Sequence, residues 1–267
     1  MAENVLLALG LTLLAGLATG IGSLLAFFTS HTNTKFLSVT LGFSAGVMIY
    51  VSMIEIFVKA KQALVHSLGT VPGSWLTVGG FFAGMLLIAS IDKFIPKQTN
   101  PHELRTVEDM SAPNEKQPDL LKMGMFTALA IGIHNFPEGI ATFTSALQDP
   151  KLGIAIAVAI AIHNIPEGIA VSVPVYFATG DKKRAFKLSF LSGLSEPIGA
   201  LAAYLFLMPF LNEVMFGIIF AAVAGIMVFI SLDELLPAAK RYDEAHLSIY
   251  GLMAGMALMA ISLLLFM

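Results

Sequence analysis

Long apolar runs recur along this chain and leave almost no room for anything else. Stretches of about 20 mostly apolar residues, the length that crosses a bilayer core, can be placed at 5–28, 36–58, 72–92, 122–147, 152–178, 186–209, 213–234 and 248–267. Only 12% of the 267 residues are charged, against about 25% in soluble domains. In lipid every backbone N–H and C=O must be satisfied within the protein, so segments of this kind are helices. The expected fold is all-α: a polytopic membrane protein of eight helices forming a single domain over residues 1–267. Its one long polar loop falls at about 93–121 and reads as disordered or weakly ordered. The run from Val5 to Phe28 follows no basic segment and reads as a retained first helix.

The basic residues give the orientation. If loops alternate sides, one side collects Lys35, Lys93, Lys97, Arg105, Lys116, Lys122, Lys182, Lys183, Arg184, Lys187, Lys240 and Arg241. The other receives only Lys59, Lys61 and Lys151. Basic loops stay in the cytoplasm, so the long loop is expected inside and both termini outside. With no cysteine in the chain, thiolate ligands and disulfides are excluded. Pairs of glycines four apart, Gly16/Gly20, Gly42/Gly46 and Gly80/Gly84, mark faces where helices pack closely.

One motif occurs twice inside the apolar runs. It reads His134-Asn135-Phe136-Pro137-Glu138-Gly139 and again His163-Asn164-Ile165-Pro166-Glu167-Gly168. Ionisable residues at such depth are functional candidates. Residues four apart share a helix face, so each His aligns with its Glu. His134 lies 15 residues before Asp149 and His163 lies 14 after it. At about 1.5 Å per residue, two antiparallel helices joined near Asp149 bring both motifs to one depth. Pro137 and Pro166 remove the donors to the Ile133 and Ile162 carbonyls and tend to kink their helices.

Glu196, about ten residues into the sixth span, adds a third carboxylate beside Pro197. No Lys or Arg lies at that depth, so protons or metal cations must neutralise the group. A lone buried His is ordinarily a hydrogen-bonded core residue; two matched copies favour a metal site instead. Imidazole with carboxylate suits zinc, iron, manganese, cobalt or nickel. Charge counting leaves open whether one ion or two are bound. Glu55, near a span end beside Lys59 and Lys61, reads equally well as a solvated helix end. His102 in the long loop reads as a loop residue.

At these residues the chain resembles the ZIP family of divalent-metal transporters, and within it the bacterial zinc-uptake branch. Further matching stretches are Gly42-Phe43-Ser44-Ala45-Gly46-Val47-Met48, Ser192-Gly193-Leu194-Ser195-Glu196 and the pair Asp233-Glu234. The resemblance covers essentially the whole chain. It implies eight transmembrane helices, both termini outside, and a two-metal centre between spans four and five completed by span six. On that pattern His134, Glu138, His163 and Glu167 surround one metal. Asn135, Asn164, Glu138, Glu167 and Glu196 surround the other, with Glu138 and Glu167 bridging. It further implies Met48 as a weak thioether ligand or a packing residue, Glu55 at the outer mouth, and Asp233 and Glu234 on the inner side. The implied activity is uptake of zinc, with iron, manganese and cobalt as further cargo, by alternating access. The metal is cargo and no resident cofactor is expected. Divalent metal ions and the lipid bilayer are the expected partners, with no nucleic acid; a homodimer stays open. The implied setting is the bacterial cytoplasmic (inner) membrane. Three competing readings remain: a membrane-embedded two-metal carboxylate enzyme, disfavoured because such bundles use Glu-x-x-His spacing, a channel-like permease, and a membrane receptor that only binds metal, disfavoured because no soluble signalling domain is expected.

Overall fold

The computed structural model describes residues 2–27, 34–94, 117–210, 212–241 and 246–265. Helix α1 is Ala2–Ala26. Helix α2 begins as Thr34–Tyr50, passes through a π-helical stretch at Val51–Ile56 and continues as Phe57–Leu68. Helix α3 is Thr70–Phe94, α4 is Gln117–Gln148 and α5 is Pro150–Thr179. Helix α6 comprises Lys182–Gly193 and Ser195–Ala202, a π stretch at Ala203–Leu207 and a 3-10 turn at Met208–Phe210. Helix α7 comprises Glu213–Ile230, a π stretch at Ser231–Leu235 and Leu236–Arg241. Helix α8 is Leu247–Leu265. The described residues contain no strand. Seven of these rods are long and apolar enough to cross a membrane. The remaining one, α4, is 32 residues long and carries Pro137 inside it.

The turns are tighter than the sequence suggests. Helix α2 runs on to Leu68 and reverses at Gly69 alone, whose φ of 89° suits glycine. Pro72, Gly73 and Trp75 lie inside α3; Pro72 sits in the first turn, where no helical N–H is needed. Asp149 caps α5 by accepting from the backbone N–H groups of Lys151 and Leu152, at 3.0 and 3.4 Å. Asp181 caps α6 in the same way. Residues 117–121, expected in the loop, are helical. The rest of that loop, with His102, lies outside the described residues.

The prolines divide into two kinds. Helix α4 continues through Pro137 without a break, and α5 continues through Pro166. Pro197, by contrast, coincides with the interruption of α6 at Leu194. It leaves the Gly193 carbonyl without a helical donor, and that carbonyl lies against Gly16 of α1.

The eight helices of the described residues sort into two groups of four. Helix α1 packs along α5, with Asn164 of α5 donating to the Ala15 carbonyl and Ser23 to the Gly168 carbonyl. It also packs against α6. Helix α4 packs on α5 and α6. In the second group α2 lies along α8, α7 packs on α3 and on the second half of α2. The glycine pairs make these seams: a Cβ on Gly42 would overlap the Ser248 carbonyl, one on Gly84 the Ala222 carbonyl, and one on Gly16 the Gly193 carbonyl. All three glycine pairs are thus used within the chain, and none is left to a second copy.

Neighbouring directions follow from the contacts. Ala15 meets Asn164 and Ser23 meets Gly168, so α1 and α5 are parallel. Gly153 meets Ala146 while His163 meets Glu138, so α4 and α5 are antiparallel. Gly42 meets Ser248 and Gly255 meets Phe43, so α2 and α8 are parallel. Between the groups, α2 and α8 touch α5, and α7 touches α4. A buried apolar cluster that includes Met48, Val51, Ile56, Leu152, Ile156, Ile160 and Met227 fills that boundary.

Candidate metal centre

The doubled motif lies at the boundary between the two groups, with its polar side chains almost wholly buried. His163, Asn164, Asn135 and Glu196 have no exposure, and Glu138, Glu167 and His134 reach only 1%, 4% and 5%. The expected equal depth is realised: His163 Nε2 lies 3.3 Å from Glu138 Oε2, so the second copy's histidine meets the first copy's glutamate. The Asn135 amide, with its nitrogen turned to Glu167, donates to Oε2 at 3.2 Å and to the Ile131 carbonyl at 3.0 Å. Asn164 donates to Glu196 Oε1.

The glycines that close each motif have the same task in both copies. A Cβ on Gly139 would overlap the Glu196 carbonyl of α6, and one on Gly168 the Thr19 carbonyl of α1. Each therefore lets a neighbouring helix lie backbone to backbone with the motif helix. Gly199 and Gly22 return the contact, against the carbonyls of Phe136 and Ile165. This close approach carries Glu196 to Asn164.

The remaining candidates are placed unequally. Glu234 is buried, and its Oε1 lies 3.1 Å from His134 Nε2. Asp233, its neighbour, is exposed. Met48 is fully buried in the apolar boundary cluster, among packing side chains. Glu55 is half-buried, 3.8 Å from Lys59 Nζ. Asp149, which the sequence offered only as a turn residue, lies within electrostatic reach of Glu55.

The site is thus built of nitrogen–carboxylate pairs: His163 with Glu138, Asn135 with Glu167, Asn164 with Glu196, and His134 with Glu234. Among the described residues no three His, Asp or Glu side chains form a group able to hold an ion by themselves. Several acceptors nevertheless have no donor. Glu138 Oε1, Glu196 Oε2 and Asn164 Oδ1 are buried without a hydrogen-bond partner. Buried oxygens of this kind cost free energy unless something electropositive meets them. The donor set of imidazole nitrogen, carboxylate and amide oxygen is that of a borderline divalent cation.

Comparison with known proteins agrees with this chemistry. The family model for the ZIP zinc transporters matches residues 93–263. Over 267 residues the chain is 74% identical to the zinc transporter ZupT of Lysinibacillus sphaericus, covering 99% of both chains. It is 72% identical to ZupT of Oceanobacillus iheyensis, over 98% of this chain and 99% of that one. It is 62% identical to ZupT of Streptococcus mutans, over the full length of both. The chain belongs to the ZIP family. As a ZIP protein it is a multi-pass membrane transporter and not an enzyme. The two-metal enzyme reading is therefore set aside.

What the sequence missed in this ZIP centre is the His134–Glu234 pair. Glu234 is 100 residues from His134 in the chain, and no periodicity links α4 to α7. A local signal did exist. Pro237 stands just after a π stretch at Ser231–Leu235, and such bulges gather at functional sites.

Proposed function

We propose that this protein carries zinc into the cytoplasm of a bacterial cell through the paired motif, and that it works as a carrier. The observation that carries the reading is the set of four buried nitrogen–carboxylate pairs, with unpartnered acceptor oxygens, at the boundary of two helix groups. His134, Glu138, His163 and Glu167 are assigned to one ion, and Asn135, Asn164 and Glu196, with the two shared glutamates, to a second. The same donors accept iron, manganese and cobalt. The basic loops favour an orientation with both termini outside.

The packing supports alternating access. Within each group the helices touch backbone to backbone through glycine, whereas the boundary is made of apolar side chains and a few polar contacts. Helices α1, α4, α5 and α6 therefore move together against α2, α3, α7 and α8. His134–Glu234 and the bond from Ser44 to the His163 carbonyl are contacts such a movement would exchange. On the Glu55 side the boundary is packed with Met48, Val51, Leu152 and Ile156, which favours a carrier over an open channel. Membrane potential supplies about 2.3 kcal/mol per charge per 100 mV toward the inside.

The test is uptake of radiolabelled zinc into proteoliposomes, wild type beside Glu138→Ala, with internal pH recorded. Saturable uptake that collapses in the variant supports the carrier, and an accompanying pH change shows proton exchange. Zinc that binds without crossing would overturn it.

A further inference from the structure

Most buried serine and threonine hydroxyls among the described residues have a partner, and six of them use the same kind. Thr12, Thr77, Thr144, Ser145, Ser172 and Ser231 each donate to the carbonyl four residues back, the ordinary solution inside a helix. Ser52 and Thr142 depart from it. Both are fully buried, and neither hydroxyl has a hydrogen-bond partner. Thr19 is a third such residue, but its hydroxyl sits against Gly193 in the α1–α6 seam.

Their positions are not random. Thr142 is one turn from Glu138 on the same face of α4, about 6 Å along the axis. It lies toward the end capped by Asp149. The Glu138 oxygen Oε1 is itself unpartnered. Ser52 is three residues inward from Glu55 and lies in the π stretch of α2, where the Phe57 N–H bonds the Ser52 carbonyl. Depth along α2 is fixed at Ser44, which bonds the His163 carbonyl; Ser52 lies eight residues, roughly 12 Å, further toward Glu55. Ser52 therefore falls between the outer carboxylates and the central pairs, as Thr142 does on α4.

We infer that the Ser52 and Thr142 hydroxyls form a way-station for the divalent cation between Glu55 and Glu138. The inference rests on the carrier reading above. The chemistry suits transit. Neutral hydroxyl oxygens replace part of the ion's water shell without holding it as a carboxylate would, and conduction needs sites an ion can leave. A hydroxyl kept for this purpose has to stay free of its own helix carbonyl.

The experiment measures initial rates of zinc uptake in proteoliposomes for wild type, Glu138→Ala, Thr142→Val, Thr142→Ser and Ser52→Ala, with Tm of each purified protein. Thr142→Val and Ser52→Ala should each raise KM about fivefold, the size of one lost polar contact, while Tm stays level or rises because an unpaired buried hydroxyl is gone. Thr142→Ser should keep the wild-type KM. Unchanged KM in both Thr142→Val and Ser52→Ala overturns the way-station, as does Thr142→Ser behaving like Thr142→Val, which would mark a packing role. A wild type that fails to transport, or an active Glu138→Ala, overturns the carrier reading and this inference with it. An inactive Glu138→Ala beside unaffected hydroxyl variants overturns the way-station alone.

Discussion

The two copies of the motif share their polar residues but not their partners. In the second copy, His163 turns to Glu138 on the sister helix, and Asn164 turns to Glu196 on α6. In the first, Asn135 turns to Glu167, while His134 leaves the motif helices and meets Glu234 of the other helix group. The polar side chains of the second copy pair within their own group, and only its His163 backbone carbonyl is met from across the boundary, by Ser44; the first copy sends a side chain across. Equal sequences at equal depth thus acquire unequal roles from what packs beside them. Within the proposed site both copies hold the ion, and His134 alone among the motif side chains also meets a carboxylate of the other group.

Losing a shared carboxylate should erase the difference between the copies. Glu138→Ala and Glu167→Ala are each expected to cut zinc uptake by more than about 100-fold, beyond the 10–100-fold range of an outer partner. Equal, mild losses in proteoliposome assays would show that the copies do not share a site. Removing the histidines should separate them. His163→Ala is expected to weaken zinc binding by about 10- to 100-fold, measured by titration calorimetry. His134→Ala should weaken binding to a similar degree and lower turnover as well, whereas Glu234→Gln should reproduce only the loss of turnover; a Glu234→Gln variant that matches His163→Ala in binding would break the assignment.

The closing glycines test the symmetry that does remain. Gly139→Ala and Gly168→Ala each force a Cβ onto a carbonyl of a neighbouring helix, and should cost about 1–3 kcal/mol through overpacking. Thermal unfolding in detergent should show similar losses for both; a loss confined to one copy would mean the seams are unequal. The smallest effect concerns a contact of the second copy only. Ser44 donates to the His163 carbonyl at 3.4 Å, and Ser44→Ala should change uptake by less than about threefold, given a net bond of ~0.5 kcal/mol.

Much of this could be read from the chain, because lipid makes the rules strict. Apolar length set the helices, and counting residues either side of Asp149 predicted that the two motifs meet at one depth, where His163 lies against Glu138. The partition into two groups was not legible. Asn164 reaching Ala15 or Gly42 resting on Ser248 depends on which face turns to which neighbour, and all eight helices are apolar around most of their circumference. The end of α2 was placed ten residues short because Lys59 and Lys61 read as a membrane edge, although only Gly69 supplies a turn. The π stretch at Val51–Ile56 is followed by no proline, so nothing in the local composition announces it.

The order in which the helices find each other has a consequence for biogenesis. The bond between Asn164 and Ala15 joins residues 149 apart, and Ser38 waits 201 residues for Ala239. At about 5–20 residues per second, α1 emerges from the ribosome roughly 7–30 s before the helix it lies against. During that interval its glycine face has only lipid or the insertion machinery to rest on. A nascent chain arrested before α5 should therefore expose that face to crosslinking, and release of the arrest should bury it.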